Sequence, residues 1–170
     1  MKHWVTKPDR EEAGYFDASI WEDAKRTGSY GLKRLINGNV TGTTNTAVLV
    51  GSHTYQRPWV RYEIIRSILN GNHIFGVHIN NIKSKDGQTK SLGYNPFDYL
   101  AACFNEDGTK ITKFLEYNEK WVDFKEHDGF TLNRAMASRF FNQCTKLSEF
   151  YSVYDWIAED GYNNFVNWVK

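Results

Sequence analysis

Trp59 and Glu63 are the residues whose types and spacing point most directly to chemistry. They stand four positions apart, so a helix places them on one face, a turn from each other. A carboxylate held there, on a helix that follows a buried strand, can reach the crevice at the sheet's carboxyl end, and an indole beside it offers a flat wall. The spacing alone is weakly specific, because six tryptophans and a glutamate frequency of about 6% give roughly one chance match in three. The plain alternative is a packed Trp59 and a solvated Glu63. Just upstream lie Ser52, His53 and Tyr55. Adjacent serine and histidine side chains rarely face each other, and no acidic residue is placed to orient His53, so turn and capping roles are expected for Ser52 and His53. His73 and His78 have no ligand spacing to a cysteine, and no metal site is expected. The glycines form neither G-x-G-x-x-G nor a P-loop, which removes the usual nucleotide fingerprints. Asp17 either faces the same crevice as Glu63 or caps the helix that follows it.

The elements that must hold these residues lie between Thr46 and Asn80. Ala47 to Val50 is a short β-branched run ending at Gly51-Ser52, and Ile74 to Ile79 is a second such run; both read as buried parallel strands. Between them Pro58 suits the first turn of a helix and Gly71 its stop. The result is a strand, helix, strand unit, in which chemistry sits where strands end and helices begin. That edge carries Ser52, His53, Tyr55 and Trp59, with Glu63 one turn further on.

Elsewhere, Leu32, Leu35 and Ile36 recur at helical spacing over Tyr30 to Ile36, with Asn37-Gly38 as the stop unless Val40 extends the same face. Ala18 to Lys25 can form a short helix, and residues 1–14 read as a polar tail. Asn80 to Tyr94 is a surface loop, and Asp107-Gly108 suits a hairpin leading into Lys110 to Leu115. ITKFLEYNEKWVDF reads as one longer or two short strands with a break at Asn118. Leu132 to Phe141 reads as a helix, and Phe150 to Lys170 as an aromatic-rich C-terminal region that folds back on the body.

The chain has 170 residues, 41% apolar and 16% aromatic, the size of one domain. Its 21 basic and 20 acidic side chains are mixed along the sequence and leave a net charge of +1, which argues against a nucleic-acid footprint. Cys103 and Cys144 are not in a C-x-x-C pair and are expected to be reduced, half-buried thiols. The N-terminus lacks an apolar signal core, and no stretch reaches about eighteen apolar residues, so a cytoplasmic protein without a membrane span is expected.

Three segments, AVLVGSHTYQRPWVRYEIIRSILNGNHIFGVHIN, GYFDASIW and YDWIAEDGYNNF, together resemble the TIR-like proteins of bacterial Thoeris anti-phage defence. The similarity runs from about His3 to the C-terminus. It implies a single TIR-like domain over residues 1–170, a flavodoxin-like α/β sandwich with a mainly parallel sheet. It also implies cleavage of NAD+ between nicotinamide and ribose, yielding a cyclic or conjugated ADP-ribose signal that activates a partner effector. NAD+ is then the substrate and no cofactor is needed. The family's catalytic glutamate lies in a Trp-x-x-x-Glu helix, which falls here on Trp59 and Glu63. Ser52, Tyr55, Trp59 and Asp17 are then candidates to bind the dinucleotide. Such relatives open with an apolar strand and a helix ahead of the segment matching HWVT, so the chain is expected to be N-terminally truncated and to lack the central strand of the order 2-1-3-4-5. Two further functions stay open: a TIR-like interaction module that self-associates or docks on an effector without turnover, and a nucleoside-processing transferase of related architecture.

Overall fold

In the computed structural model the described residues are 26–84 and 86–169; Asp17, the expected N-terminal tail and the helix expected over Ala18 to Lys25 lie outside them. The chain divides after Thr43 into two units. In the first, helix α1 (Gly28–Val40) buries Leu32, Ile36 and Val40, one residue per turn. It runs through the expected stop at Asn37-Gly38 because Val40 continues the apolar stripe. It ends where the Thr41 amide bonds the Asn37 carbonyl, and Thr43 Oγ1 then covers the Val40 carbonyl at 2.8 Å.

The second unit begins with strand β1 (Asn45–Val50), helix α2 (Pro58–Leu69) and strand β2 (His73–His78). The two strands are parallel, pairing Asn45 with His73 through Val50 with His78, as the sequence pattern requires. Pro58 opens α2, where its missing N–H costs nothing. Gly71 closes it at φ +79°, with the Gly71 amide on the Ile68 carbonyl and the Asn72 amide on the Ser67 carbonyl. A side chain other than glycine or asparagine would be strained in that left-handed position. The buried face of α2 carries Tyr62, Ile64, Ile65 and Ile68, and its Ser67 hydroxyl accepts from Thr46 Oγ1 at 2.9 Å, tying the helix end to the start of β1.

Residues 100–146 build a second sheet from β3 (Leu100–Phe104), β4 (Lys110–Asn118), β5 (Lys120–Thr131) and β6 (Cys144–Lys146), antiparallel and in the order β5-β4-β3-β6. The expected hairpin at Asp107-Gly108 joins β3 to β4, and the long aromatic stretch forms two strands that turn at Glu119, one residue beyond Asn118, where φ is +60°. The helix expected over Leu132 to Phe141 is absent. The Leu132 and Met136 amides bond the carbonyls of Thr109 and Gly108, so this backbone follows the hairpin, and one 3-10 turn at Ser138–Phe140 is all that forms.

The expectation of two reduced thiols is also overturned. Cys103 and Cys144 face each other across β3 and β6 and are joined in a disulfide. They lie 41 residues apart, so their pairing follows from strand register, of which spacing carries no sign.

The chain then returns to the parallel sheet as β7 (Val153–Asp155), beside β2, giving the order β1-β2-β7. The central strand β2 is buried from Ile74 to Val77. Gly76 makes a close fit there, since a Cβ would meet the Val153 methyls at 3.0 Å and those side chains would have to give by a few tenths of an ångström. Helix α3 (Gly161–Trp168) lays Trp168 against Phe75 and Val77, stacked on Tyr154 with ring centroids 4.5 Å apart. The aromatic C-terminal region therefore does fold back on the body.

Candidate functional site

Because β1, β2 and β7 run parallel, their carboxyl ends share one edge, and the segments that follow Val50, His78 and Asp155 gather there. In α/β sheets of this kind that edge is where ligands bind. The first segment, Gly51 to Arg57, is a tight turn held by Thr54. Its Oγ1 accepts from the Gly51 amide at 2.9 Å and donates to the Leu49 carbonyl at 3.2 Å. Ser52 is half-buried within this turn. The loop that leaves Asn80 comes back to it: a Cβ on Gly93 would lie 2.0 Å from the Gly51 carbonyl oxygen, so only glycine allows this approach.

Tyr55 follows in a short 3-10 turn, and its ring packs against two other tyrosines. It meets Tyr94 at 5.1 Å and Tyr99 at 4.6 Å between centroids. The Tyr55 phenol oxygen accepts from Gln56 Nε2, and the Tyr55 carbonyl accepts from Arg61 Nε at 3.1 Å. Arg61 also donates to Glu116 of β4 at 2.9 Å, with the Tyr99 ring 6.0 Å from its guanidinium carbon. Tyr55 is thus held by the two tyrosine rings and, through Arg61, tied to β4 of the second sheet. Burial raises the Tyr99 phenol above its ordinary value, with Tyr55, Tyr94, the Asp98 charge and Tyr117 adding to the effect.

Trp59 stands in the first turn of α2, half-buried, its ring edge-on to Tyr62 at 6.1 Å. Glu63 follows one turn later, about 6 Å further along the axis. Its outer surface is exposed, yet the protein around it raises its pKa from the ordinary 4.5 by desolvation. The two observations weigh differently. Exposure means that water reaches the carboxyl and screens it, so the shift converts into no stability term, while its upward direction still bears on chemistry. Among the described residues Glu63 has no hydrogen-bond or ion-pair partner.

Of the expected site residues, Ser52 and Tyr55 therefore share one turn, and Trp59 and Glu63 occupy successive turns of the adjoining helix. The Tyr55 ring belongs to a separate aromatic cluster, and Asp17 lies outside the described residues. Sequence reasoning missed Thr54, Arg61 and Gly93. Arg61 carried one available signal, a charge on the apolar face of α2, which in a folded protein requires a partner. Among the described residues no group of three His, Cys, Asp or Glu is placed to hold a metal, and no helix is long and apolar enough to cross a membrane.

The parallel sheet, its helical crossover and the polar residues at its carboxyl edge define an α/β protein of the flavodoxin-like, TIR-like type. Residues 1–84 match the family described as Thoeris protein ThsB, TIR-like domain. Over 168 residues, 99% of this chain and 88% of the relative, the sequence is 48% identical to the protein of Bacillus cereus (strain MSX-D12) named "Putative cyclic ADP-D-ribose synthase ThsB1". The chain belongs to this Thoeris TIR-like family.

Proposed function

We propose that the chain is an NAD+-consuming signalling enzyme that breaks the bond between nicotinamide and ribose, with Glu63 as its essential carboxylate. The observation that carries this reading is the position of Glu63: on the second turn of α2, the helix that leaves the carboxyl edge of the parallel sheet, reached by solvent and unpaired among the described residues. A carboxylate neutralised by an arginine would have little charge to offer a substrate. As nicotinamide leaves with the electrons of the C1′–N bond, the ribose takes on oxocarbenium character, which an ionised carboxylate stabilises directly or through the ribose hydroxyls. No general acid is needed, because the leaving pyridine becomes neutral as it departs.

The relative's name supports ring closure as the second half of the reaction. In that step a nucleophilic atom of the same molecule bonds to C1′ of the ribose that nicotinamide has left, and its proton is given up. Trp59 supplies a flat wall, Ser52 a hydroxyl at the strand end, and Tyr55 a fixed boundary. The product would act as a diffusible signal on a partner effector. The test is nicotinamide release by the purified chain. Glu63→Ala is expected to lower kcat by at least about 100-fold, and an unchanged rate would remove Glu63 from the mechanism. A second reading, a self-associating module, is favoured by exposed Tyr162 and Val166 on α3 and exposed Ile157 before it. Stable oligomers in light scattering, with no nicotinamide released, would support that reading instead.

A further inference from the structure

The Cys103–Cys144 disulfide joins a buried cysteine to an exposed one. Cys103 is 4% exposed within β3, a strand buried along its whole length. Cys144, the first residue of β6, is exposed, and β6 lies at the edge of its sheet. A thiol in solution therefore reaches the bond from the Cys144 side. Little else holds this edge. β6 has three residues and pairs with β3 alone, and just before it the Phe104 amide bonds the Gln143 carbonyl at 2.9 Å and the Asn142 amide bonds the Asn105 carbonyl at 3.1 Å. Exposed disulfides belong to the reducible, regulatory class, in contrast with those sealed inside a core.

The residues that follow β6 lead to the candidate site. Leu147 is buried, and the Ser148 hydroxyl donates to Asp98 Oδ1 at 2.7 Å. Asp98 lies in the 3-10 turn Pro96–Tyr99, whose Phe97 is fully buried. Next to it, Tyr99 packs its ring on Tyr55 at 4.6 Å, and Tyr55 belongs to the turn that follows β1. One continuous run of bonds and packed rings thus joins the disulfide to the turn that carries Ser52 and Tyr55. A contiguous network of this kind can carry coupling when one of its elements has two discrete states. Here that element is β6, bridged or open.

We propose that Cys144 is a reversible thiol-exchange site for small thiols, and that opening the bridge there slackens the Tyr99–Tyr55 side of the candidate site. The thiolate of a small thiol attacks Cys144 Sγ and forms a mixed disulfide, while the Cys103 sulfur leaves with the bonding electrons and takes up a proton. A second thiol then attacks the sulfur of the first, freeing the Cys144 thiol and releasing a small-molecule disulfide. The protein gains two electrons and two protons, and two thiols are oxidised to one disulfide. With the bridge closed, β6 and Ser148 are pinned and Tyr99 is held on Tyr55. With it open, β6 depends on its few backbone bonds. The bearing on turnover rests on the reading of NAD+ as substrate; the exchange site and its link to Tyr55 do not.

The experiment treats the full, folded chain with reduced glutathione and follows it by mass spectrometry and amide hydrogen exchange. Glutathione is expected on Cys144 and not on Cys103, followed by loss of the bridge. An adduct on Cys103, or a bridge that glutathione opens only after unfolding, overturns the exchange site. In the reduced chain, exchange is expected to quicken at least about threefold in residues 141–149, 94–99 and 51–57, with β1 and β2 as the reference for a uniform loss of stability. Faster exchange in 141–149 alone, or equally across the chain, overturns the link. Ser148→Ala separates the two parts. It should leave the bridge reducible while exchange in 94–99 stops responding to reduction, and a response equal to the parent's overturns the route through Asp98. Nicotinamide release gives the last readout: reduction should raise KM for NAD+ at least about threefold and change kcat less. Equal KM in both forms overturns the bearing on the site. No release by either form defeats the substrate reading instead, and the exchange site and its link are still decided by the other two measurements.

Discussion

Arg61 is the side chain on which the shape of the candidate site depends most, and its contribution can be worked from its contacts. It is 8% exposed, bonds the Tyr55 carbonyl at 3.1 Å and pairs with Glu116 at 2.9 Å, the Glu116 side chain being 28% exposed. Breaking a fully buried ion pair costs about 3–5 kcal/mol, and an exposed pair is worth about 0.2–1. With one partner buried and the other partly wet, Arg61→Met should cost about 2–3 kcal/mol from the pair. Loss of the bond to the Tyr55 carbonyl adds about 1 kcal/mol. In a double-mutant cycle with Glu116→Gln, read from urea unfolding, the coupling should be about 1–2 kcal/mol. The Lys113–Asp123 pair, with side chains 50% and 59% exposed, serves as an internal control and should couple by less than about 0.5 kcal/mol. Because Arg61 also holds the Tyr55 turn, Arg61→Met should raise KM for NAD+ more than it lowers kcat. Coupling below about 0.3 kcal/mol, equal to the control, would refute the view that this pair fastens α2 to the second sheet.

Three other outcomes follow from the geometry. Reducing the Cys103–Cys144 disulfide, which spans 41 residues, should lower stability by about 2–4 kcal/mol from chain entropy; a urea midpoint unmoved by dithiothreitol would show that strand pairing alone suffices. Gly93→Ala places a Cβ 2.0 Å from the Gly51 carbonyl oxygen and should cost about 1–3 kcal/mol as the loop and turn move apart; stability equal to the parent would mean that the loop does not rest on the strand end. Burial raises Glu63 above 4.5, so the ionised form that the reaction needs is lost at a higher pH than for a free glutamate. The acid limb of kcat/KM should therefore lie above pH 4.5, and a limb at or below 4.5 would contradict it.

The parallel half of the fold is legible in the sequence because its signals are local. The β-branched runs at Ala47 to Val50 and Ile74 to Ile79, Pro58 at a helix start and Gly71 at its end each act through neighbours in the chain. The antiparallel half is only partly so. Asp107-Gly108 announces one hairpin, but the pairing of β3 with β6, and with it the disulfide, joins residues 41 apart. The segment 132–141 shows the opposite failure. Its composition suits a helix, yet its amides are taken by the carbonyls of the β3–β4 turn, and tertiary bonding overrides a weak local preference.

The candidate site divides along the same line. Glu63 and Trp59 can be found from sequence because one helix carries both. Gly93 cannot, since it is defined by an atom from another element, and Arg61 shows in the sequence only as a charge on an apolar helix face. Helix α2 shows why the halves belong together. Its inner face spends Tyr62, Ile64, Ile65 and Ile68 on the core and ties Arg61 to the second sheet, so the helix has little freedom to roll. Glu63, on the same helix, takes no part in that anchoring among the described residues. A carboxylate that the fold holds in place but does not neutralise is free to act on a developing cation, and the cost of positioning it is met by residues that touch no substrate.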